Sequence, residues 1–159
     1  RAGGYRSFFK FAQDLDLWVR MSRITDFDIV PEVLYRRVTF DDSVSASVDK
    51  LIQQQILAEF ALQCGENVDS WGRDYLDIYG EAASFRKRPS KRLSRKFAGK
   101  GVKWMRDGFV EEGWQFVKQA NIECPTIHTR LKQLVCGFHR HPTLWKKLVL
   151  PALNAYAAR

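Results

Sequence analysis

No stretch of the 159 residues reaches the ~18 uninterrupted apolar residues that a helix needs to cross a bilayer. Cysteine is scarce. Cys64, Cys124 and Cys136 are odd in number and show no zinc-like spacing, which points away from a disulfide framework and a structural zinc. Reduced, partly buried thiols, as in a cytoplasmic protein, are expected. There is no internal repeat, no phosphate-cradling glycine loop and no Ser/His/Asp arrangement. His139-Arg140-His141 stands before Pro142 with no acid or cysteine beside it, so it reads as surface and not as a metal site. What is present is ordinary for a globular chain: 45% hydrophobic and 28% charged residues.

The net charge of +8 is unevenly placed. Residues 1–65 hold 8 Lys/Arg and 9 Asp/Glu, a balance of −1; residues 66–159 hold 18 and 9, a balance of +9. Acids are missing altogether from residues 86–103, where Arg86, Lys87, Arg88, Lys91, Arg92, Arg95, Lys96, Lys100 and Lys103 fall. Pro89, Gly99 and Gly101 are expected to break up this block, and Leu93 and Phe97 give it one apolar stripe. Such a segment fits an anionic membrane surface through Arg88, Lys91, Arg92 and Arg95, or nucleic acid, or a solvated linker.

The informative stretch is Gln13-Asp14-Leu15-Asp16-Leu17-Trp18-Val19-Arg20. Leu17, Trp18 and Met21 have the spacing of a buried helix face, with the helix expected from about Leu15 to Arg23. Asp14 stands at the helix mouth, where unpaired N–H groups favour a negative charge. From spacing alone it reads as an N-cap. A carboxylate held there with Trp18 packed beneath it could also serve as a general base. Asp16 points away from Asp14, because residues two apart do not share a helix face.

The run Gly3-Gly4-Tyr5 followed by Gln13-Asp14-Leu15-Asp16-Leu17-Trp18-Val19-Arg20 closely resembles the second half of the catalytic domain of family 2 glycosyltransferases, which have the GT-A fold. Leu34-Tyr35-Arg36-Arg37-Val38 and Ser43-Val44-Ser45 resemble that family's closing segment. The resemblance covers about the first third of the chain. It implies that residues 1–45 complete a GT-A α/β sheet, with one helix and a short strand pair near residues 27–38. It also implies that a nucleotide-binding half lies upstream of Arg1, so that these residues are part of a longer enzyme. The parent would move a sugar, with inversion, from a nucleotide-sugar donor to the hydroxyl of a saccharide or lipid-linked acceptor. A divalent cation, Mg or Mn, would be held mainly upstream. Asp14 is implied as the catalytic base, and Gln13, Asp16, Trp18 and Arg20 as its support. Gly3, Gly4 and Tyr5 would line the acceptor side; Thr39 would lie near the donor diphosphate, and of Arg36 and Arg37, on opposite faces of the strand, one could reach it while the other makes a surface salt bridge.

Two departures stand out. The family's Glu-Asp pair is Gln13-Asp14 here. Thr39 stands where the family often carries a histidine, and a hydroxyl is a poor metal ligand beside imidazole. The triplets Asp14-Leu15-Asp16 and Asp26-Phe27-Asp28 are both set aside as the family's metal motif. The first already belongs to the helix, and the second reads as a turn and a strand start.

From residue 46 the period is helical and the whole chain is expected to be mainly α. Val44, Val48, Leu51, Ile52, Ile56 and Phe60 make a long helix that Gly65 stops. Trp71, Tyr75, Ile78, Tyr79 and Ala82 make a second. Val102 to Ala120 read as one or two helices weakened at Gly108 and Gly113. Ile127, Leu131, Leu134, Val135 and Phe138 carry another, and a last one follows Thr143 with Pro151 as a kink. Two functions compete: a glycosyltransferase part, cytoplasmic or peripheral at the inner face of the membrane, and a non-catalytic basic helical module for anionic membrane or nucleic acid. Of these two partners, a membrane is the one a transferase acting on lipid-linked acceptors would need.

Overall fold

The computed structural model describes residues 2–36 and 47–157. The chain is mainly helical and forms two compact units, Arg1–Arg88 and Pro89–Arg159. The resemblance divided the chain by motif content at residue 45; the compact units divide at Pro89. Among the described residues no helix is long and apolar enough to cross a membrane.

In the first unit, α1 spans Gln13–Met21. It starts two residues before the apolar pattern does, and its N-cap is Ala12 at φ 59, not Asp14. The long helix α2 spans Val48–Trp71. It passes through Gly65 and ends at Gly72, whose positive φ closes the helix with an N–H bond to the Val68 carbonyl. Gly65 has a different task. A Cβ there would stand 2.6 Å from Cγ1 of Val19, so its bare backbone lets α1 lie close on α2. Arg23 Nη2 seals the crossing with a bond to the Gly65 carbonyl at 2.7 Å.

Trp71 is the last residue of α2 and is exposed; it does not join the next helix. That helix, α3, is only Tyr75–Tyr79, followed by a 3-10 turn over Gly80–Arg86. Asp74 caps α3 by accepting the Leu76 N–H at 2.8 Å. The unit's core joins Phe9, Phe60, Ala61, Cys64 and Ala83, with the Phe60 and Tyr75 rings stacked at 6.2 Å.

The strand pair expected near residues 27–38 does not form among the described residues, which reach Arg36. Ile29, Val33, Leu34 and Tyr35 are 87%, 92%, 76% and 81% exposed. Their β-forming side chains are there, but among the described residues no neighbouring strand takes up the backbone N–H and C=O groups, and a lone strand has no ladder. Residues 37–46 lie outside the described residues, and with them Arg37, Thr39 and Ser43-Val44-Ser45.

In the second unit, α4 spans Lys91–Arg106 without interruption at Gly99 or Gly101. Ser90 caps it, accepting the Leu93 N–H at 3.1 Å. Leu93, Phe97, Ala98, Gly101 and Met105 face inward, while Lys91, Arg92, Arg95, Lys96 and Lys103 face outward. The basic block is therefore chiefly one amphipathic helix, not a broken segment. Helix α5 spans Val110–Glu123 and crosses α4 where two glycines meet. A Cβ on Gly101 would come 2.6 Å from the Gly113 carbonyl oxygen, and one on Gly113 would come 2.6 Å from that of Gly101. Gly113 is thus a packing position and not a weak point. The buried Ser94 hydroxyl ties the same pair, 2.7 Å from the Ala120 carbonyl and 2.8 Å from that of Cys124.

Helix α6 spans Ile127–Gly137 and opens with a reciprocal Thr126/Thr129 capping box. Its apolar stripe exists, but it faces solvent. Ile127, Leu131 and Leu134 are 82%, 57% and 66% exposed, whereas Thr129 and Cys136 are the buried positions. The last helix begins at Pro142, not at a Thr143 cap: α7 is Pro142–Leu144, then a π turn over Trp145–Val149, then α8 over Leu150–Ala157. The wide turn just before Pro151 lets the helix pass a residue that has no N–H and whose ring crowds the preceding turn. Trp145, in that turn, is buried against Met105, Trp114 and Val117.

Candidate active site

The start of α1 and the loop before it form one hydrogen-bonded body. Asp16 is 1% exposed. Arg6 approaches it from the loop, with Nε 3.0 Å from Oδ2 and Nη2 on Oδ1. Arg20, one turn on, places Nε and Nη2 at 3.2 and 2.9 Å from Oδ2. Two guanidiniums therefore saturate one buried carboxylate. Each also reaches further. Arg6 Nη1 donates to Asp74 at 3.0 Å, which joins the start of α3 to the loop. Arg20 Nη1 donates to the Ala2 carbonyl, and Nη2 to the Gly4 carbonyl at 2.6 Å. Gly3 and Gly4 lie at φ 79 and 67, a region open to glycine, and this lets their backbone curl around the guanidinium. The environment of Arg6 sums to a raised pKa: burial works against its charge, and the bonds and fields of Asp16 and Asp74 outweigh that.

Asp14 is set apart from this network. It sits in the first turn of α1, exposed, with Oδ1 accepting the Leu15 N–H at 2.8 Å. It lines a cleft of about 350 Å³ with Tyr5, Lys10, Phe11, Gln13 and Gln54. The Gln13 amide, turned so that nitrogen faces the loop, donates to the Phe9 and Lys10 carbonyls at 3.2 and 3.3 Å. A glutamate could not make those bonds, which gives a physical reason for an amide at that position. Trp18 is 53% exposed and does not pack beneath Asp14. Leu17, Val19 and Met21 are half-buried instead.

Of the residues singled out in the sequence, the structure brings together Gly4, Asp16 and Arg20 in one network, and Tyr5, Gln13 and Asp14 around one cleft. Gly3 lies against Arg20, its built Cβ 3.9 Å from Nη1. Arg36 is exposed in the extended segment. Arg6, Lys10 and Gln54 were not anticipated. Arg6 has no sequence signal, because its partners are 10 and 68 residues away.

The remaining candidates fall elsewhere. Arg88 pairs with Glu66 at 2.6 Å in the first unit; Lys91, Arg92 and Arg95 are on the outer face of α4. Lys100 lies over the Trp104 and Phe116 rings at 5.2 and 4.8 Å, and burial, then Lys96, lower its pKa. His139 is not a surface residue without an acid: its Nε2 is 3.5 Å from Glu111 and its ring packs on Trp114. Glu111 comes from another helix, which local sequence does not show. Cys64, Cys124 and Cys136 are free thiols. Burial, reinforced by Asp74, pushes the Cys64 thiol up, and burial pushes Cys136 up to about 11, so neither is a thiolate near neutral pH.

A divalent cation does not fit the described residues. Both Asp16 oxygens are taken by guanidiniums, Asp28 accepts the Ile29 N–H at 2.8 Å, and among the described residues no three His, Cys, Asp or Glu side chains converge. Comparison with protein-family models, with curated protein sequences and with solved structures finds no match.

Proposed function

We propose that the first unit is the acceptor side of an inverting glycosyltransferase of the GT-A type, with Asp14 as its general base. The observation that supports this most is the division of labour between two carboxylates two residues apart. Asp16 is buried and spent on Arg6 and Arg20, which fix the glycine loop to α1. Asp14 is exposed on a cleft whose rim is Tyr5, Lys10 and Gln54. A base must be held in place yet left open to its substrate, and this arrangement meets both needs.

In this reading an acceptor hydroxyl lies in the cleft and gives its proton to Asp14. Its oxygen forms a bond to the sugar carbon as the bond from that carbon to the donor diphosphate breaks, and the configuration inverts. Lys10 and Tyr5 orient the acceptor. A nucleotide-binding half lies upstream, and the exposed extended segment that includes Tyr35 and Arg36 docks on it. The cation that the resemblance implies would be held by that half, where it would offset the charge of the donor diphosphate. Asp14→Asn in the full-length parent is the test. The amide cannot take the proton, so turnover should fall by about two to four orders of magnitude with donor affinity little changed. Near-normal turnover would overturn the assignment.

One observation favours a second role for the other unit. Pro89–Arg159 holds 14 Lys/Arg against 4 Asp/Glu, a balance of +10, and α4 turns its basic face outward. The α6 stripe also faces outward, with no acid on that helix. Basic faces with protruding aliphatic side chains suit the surface of an anionic membrane. Binding to phosphatidylserine vesicles should weaken when Lys91, Arg92 and Arg95 are changed to Gln, and should fall with salt, since the screening length is ~8 Å at physiological ionic strength. Binding that ignores both changes would refute this role.

A further inference from the structure

Neither reading uses a cleft on α2 and the turn that follows it. It has a volume of about 580 Å³ and is lined by Asn67, Trp71, Arg73, Tyr79, Arg86 and Arg88, among others. The first unit is slightly acidic, with 12 Lys/Arg against 14 Asp/Glu, so three guanidiniums at one cleft are a local inversion of charge. Arg88 is matched by Glu66. Among the described residues no carboxylate pairs with Arg73 or Arg86. Arg73 Nη2 donates to the Asp77 carbonyl at 3.3 Å, and Arg86 lies over the Tyr79 ring at 4.4 Å.

The cleft is built and not incidental. Gln63, Asn67 and Trp71 are four apart, so they share one face of α2. Gln63 is 4% exposed and grips the Arg88 backbone from both sides: Nε2 to the carbonyl at 2.9 Å and Oε1 to the N–H at 2.8 Å. Asn67 is 7% exposed and donates to the Arg73 carbonyl at 2.6 Å. Two buried amides thus fix the backbone on both sides of the cleft. Trp71, next on that face, is 78% exposed. An aromatic of that size left open beside exposed guanidiniums on a fixed backbone presents a stacking surface next to positive charge.

We propose that this cleft binds a phosphate ester carried on a ring. The guanidiniums of Arg73 and Arg86 take the phosphate by charge-assisted bonds, and Trp71 takes the face of the ring. The ring is that of a sugar phosphate or of a nucleotide. The proposal does not depend on the role of Asp14.

The test is calorimetric titration of the 159-residue chain at low salt with glucose 6-phosphate, AMP, glucose and inorganic phosphate. At least one ester should saturate with a Kd of about 1 mM or tighter, and glucose should not bind. Arg73→Gln with Arg86→Gln should weaken that ester about tenfold or more, with the melting midpoint kept because both side chains are exposed. Trp71→Ala should weaken the ester and leave inorganic phosphate unchanged. Preference for AMP assigns the ring as a nucleotide; preference for glucose 6-phosphate assigns a sugar. The proposal is overturned if neither ester saturates by about 10 mM, if the double variant binds as the parent does, or if inorganic phosphate binds as tightly as both esters.

Discussion

Replacing Asp16 with Asn tests the network on which the site rests, and it needs no substrate. The change keeps the side chain's size but removes its charge and turns one oxygen into a donor. Four guanidinium N–H groups, two from Arg6 and two from Arg20, converge on Asp16. After the change, one oxygen must serve them all, and the new NH2 faces donors. Arg6 keeps Asp74 and Arg20 keeps two backbone carbonyls, so neither is wholly stranded. Breaking a buried ion pair from one side costs about 3–5 kcal/mol. The two arginine side chains are 20% and 17% exposed, which places the expectation at the low end, about 3 kcal/mol. For a unit of this size that is a fall of about 12–24 °C in midpoint. Urea unfolding with hydrogen exchange at α1 and α2 amides reads the first unit separately from the second. Asp14→Asn is the companion, expected within about 0.5 kcal/mol because Asp14 is exposed. If Asp16→Asn loses less than about 1 kcal/mol, the clamp does not hold the loop, and the argument that frees Asp14 for chemistry loses its basis.

Gly101→Ala should destabilise the second unit by about 1–3 kcal/mol, since its Cβ would meet the Gly113 backbone, whereas Gly99→Ala, with open space, should stabilise α4 by about 0.5–1 kcal/mol; equal melting shifts would show that the crossing is not glycine-tight. The Cys136 thiol is raised from 9.0 to about 11 by burial, so its contribution to stability is full below about pH 9 and is lost as pH rises to about 11, where the unfolded chain ionises first. Cys136→Ala should therefore flatten the loss of unfolding free energy across that window, and an unchanged slope would show that the thiol is not held protonated.

The helical character of the chain was legible because a 3.6-residue period survives in any context. What a period cannot say is which way the face points. Ile127, Leu131 and Leu134 share one side of α6 as their spacing requires, yet that side is outward, because Thr129 and Cys136 are the positions that pack. Glycine was misread for a related reason. Gly65, Gly101 and Gly113 look like helix breakers when only propensity is weighed, at about 1 kcal/mol each. Each instead stands where another helix comes within 3 Å of a would-be Cβ, and that fact exists only in three dimensions. The strands near residue 30 failed by the same logic reversed. Phe27 to Tyr35 have the composition of strands, but a strand is completed by its neighbour, and the described residues offer none.

The candidate site was legible in its residue types and not in its wiring. Gly3, Gly4, Asp14, Asp16 and Arg20 could be named from the motif, but the motif does not say why two aspartates are needed. The structure gives a reason. Arg20 bonds both Asp16 and the Gly4 carbonyl, and Arg6 joins Asp16 to Asp74, so the loop, α1 and the start of α3 are linked through Arg6 and one buried carboxylate. Asp14 could not do that work from its exposed place in the first turn, and Asp16 could not meet a substrate from its buried one. Gln13 completes the logic. Its amide ties the start of α1 to the carbonyls of Phe9 and Lys10, so the helix mouth is held by an uncharged group. A departure that looked like a lost acid is therefore a backbone tether, and among the described residues it leaves Asp14 as the one carboxylate lining the cleft.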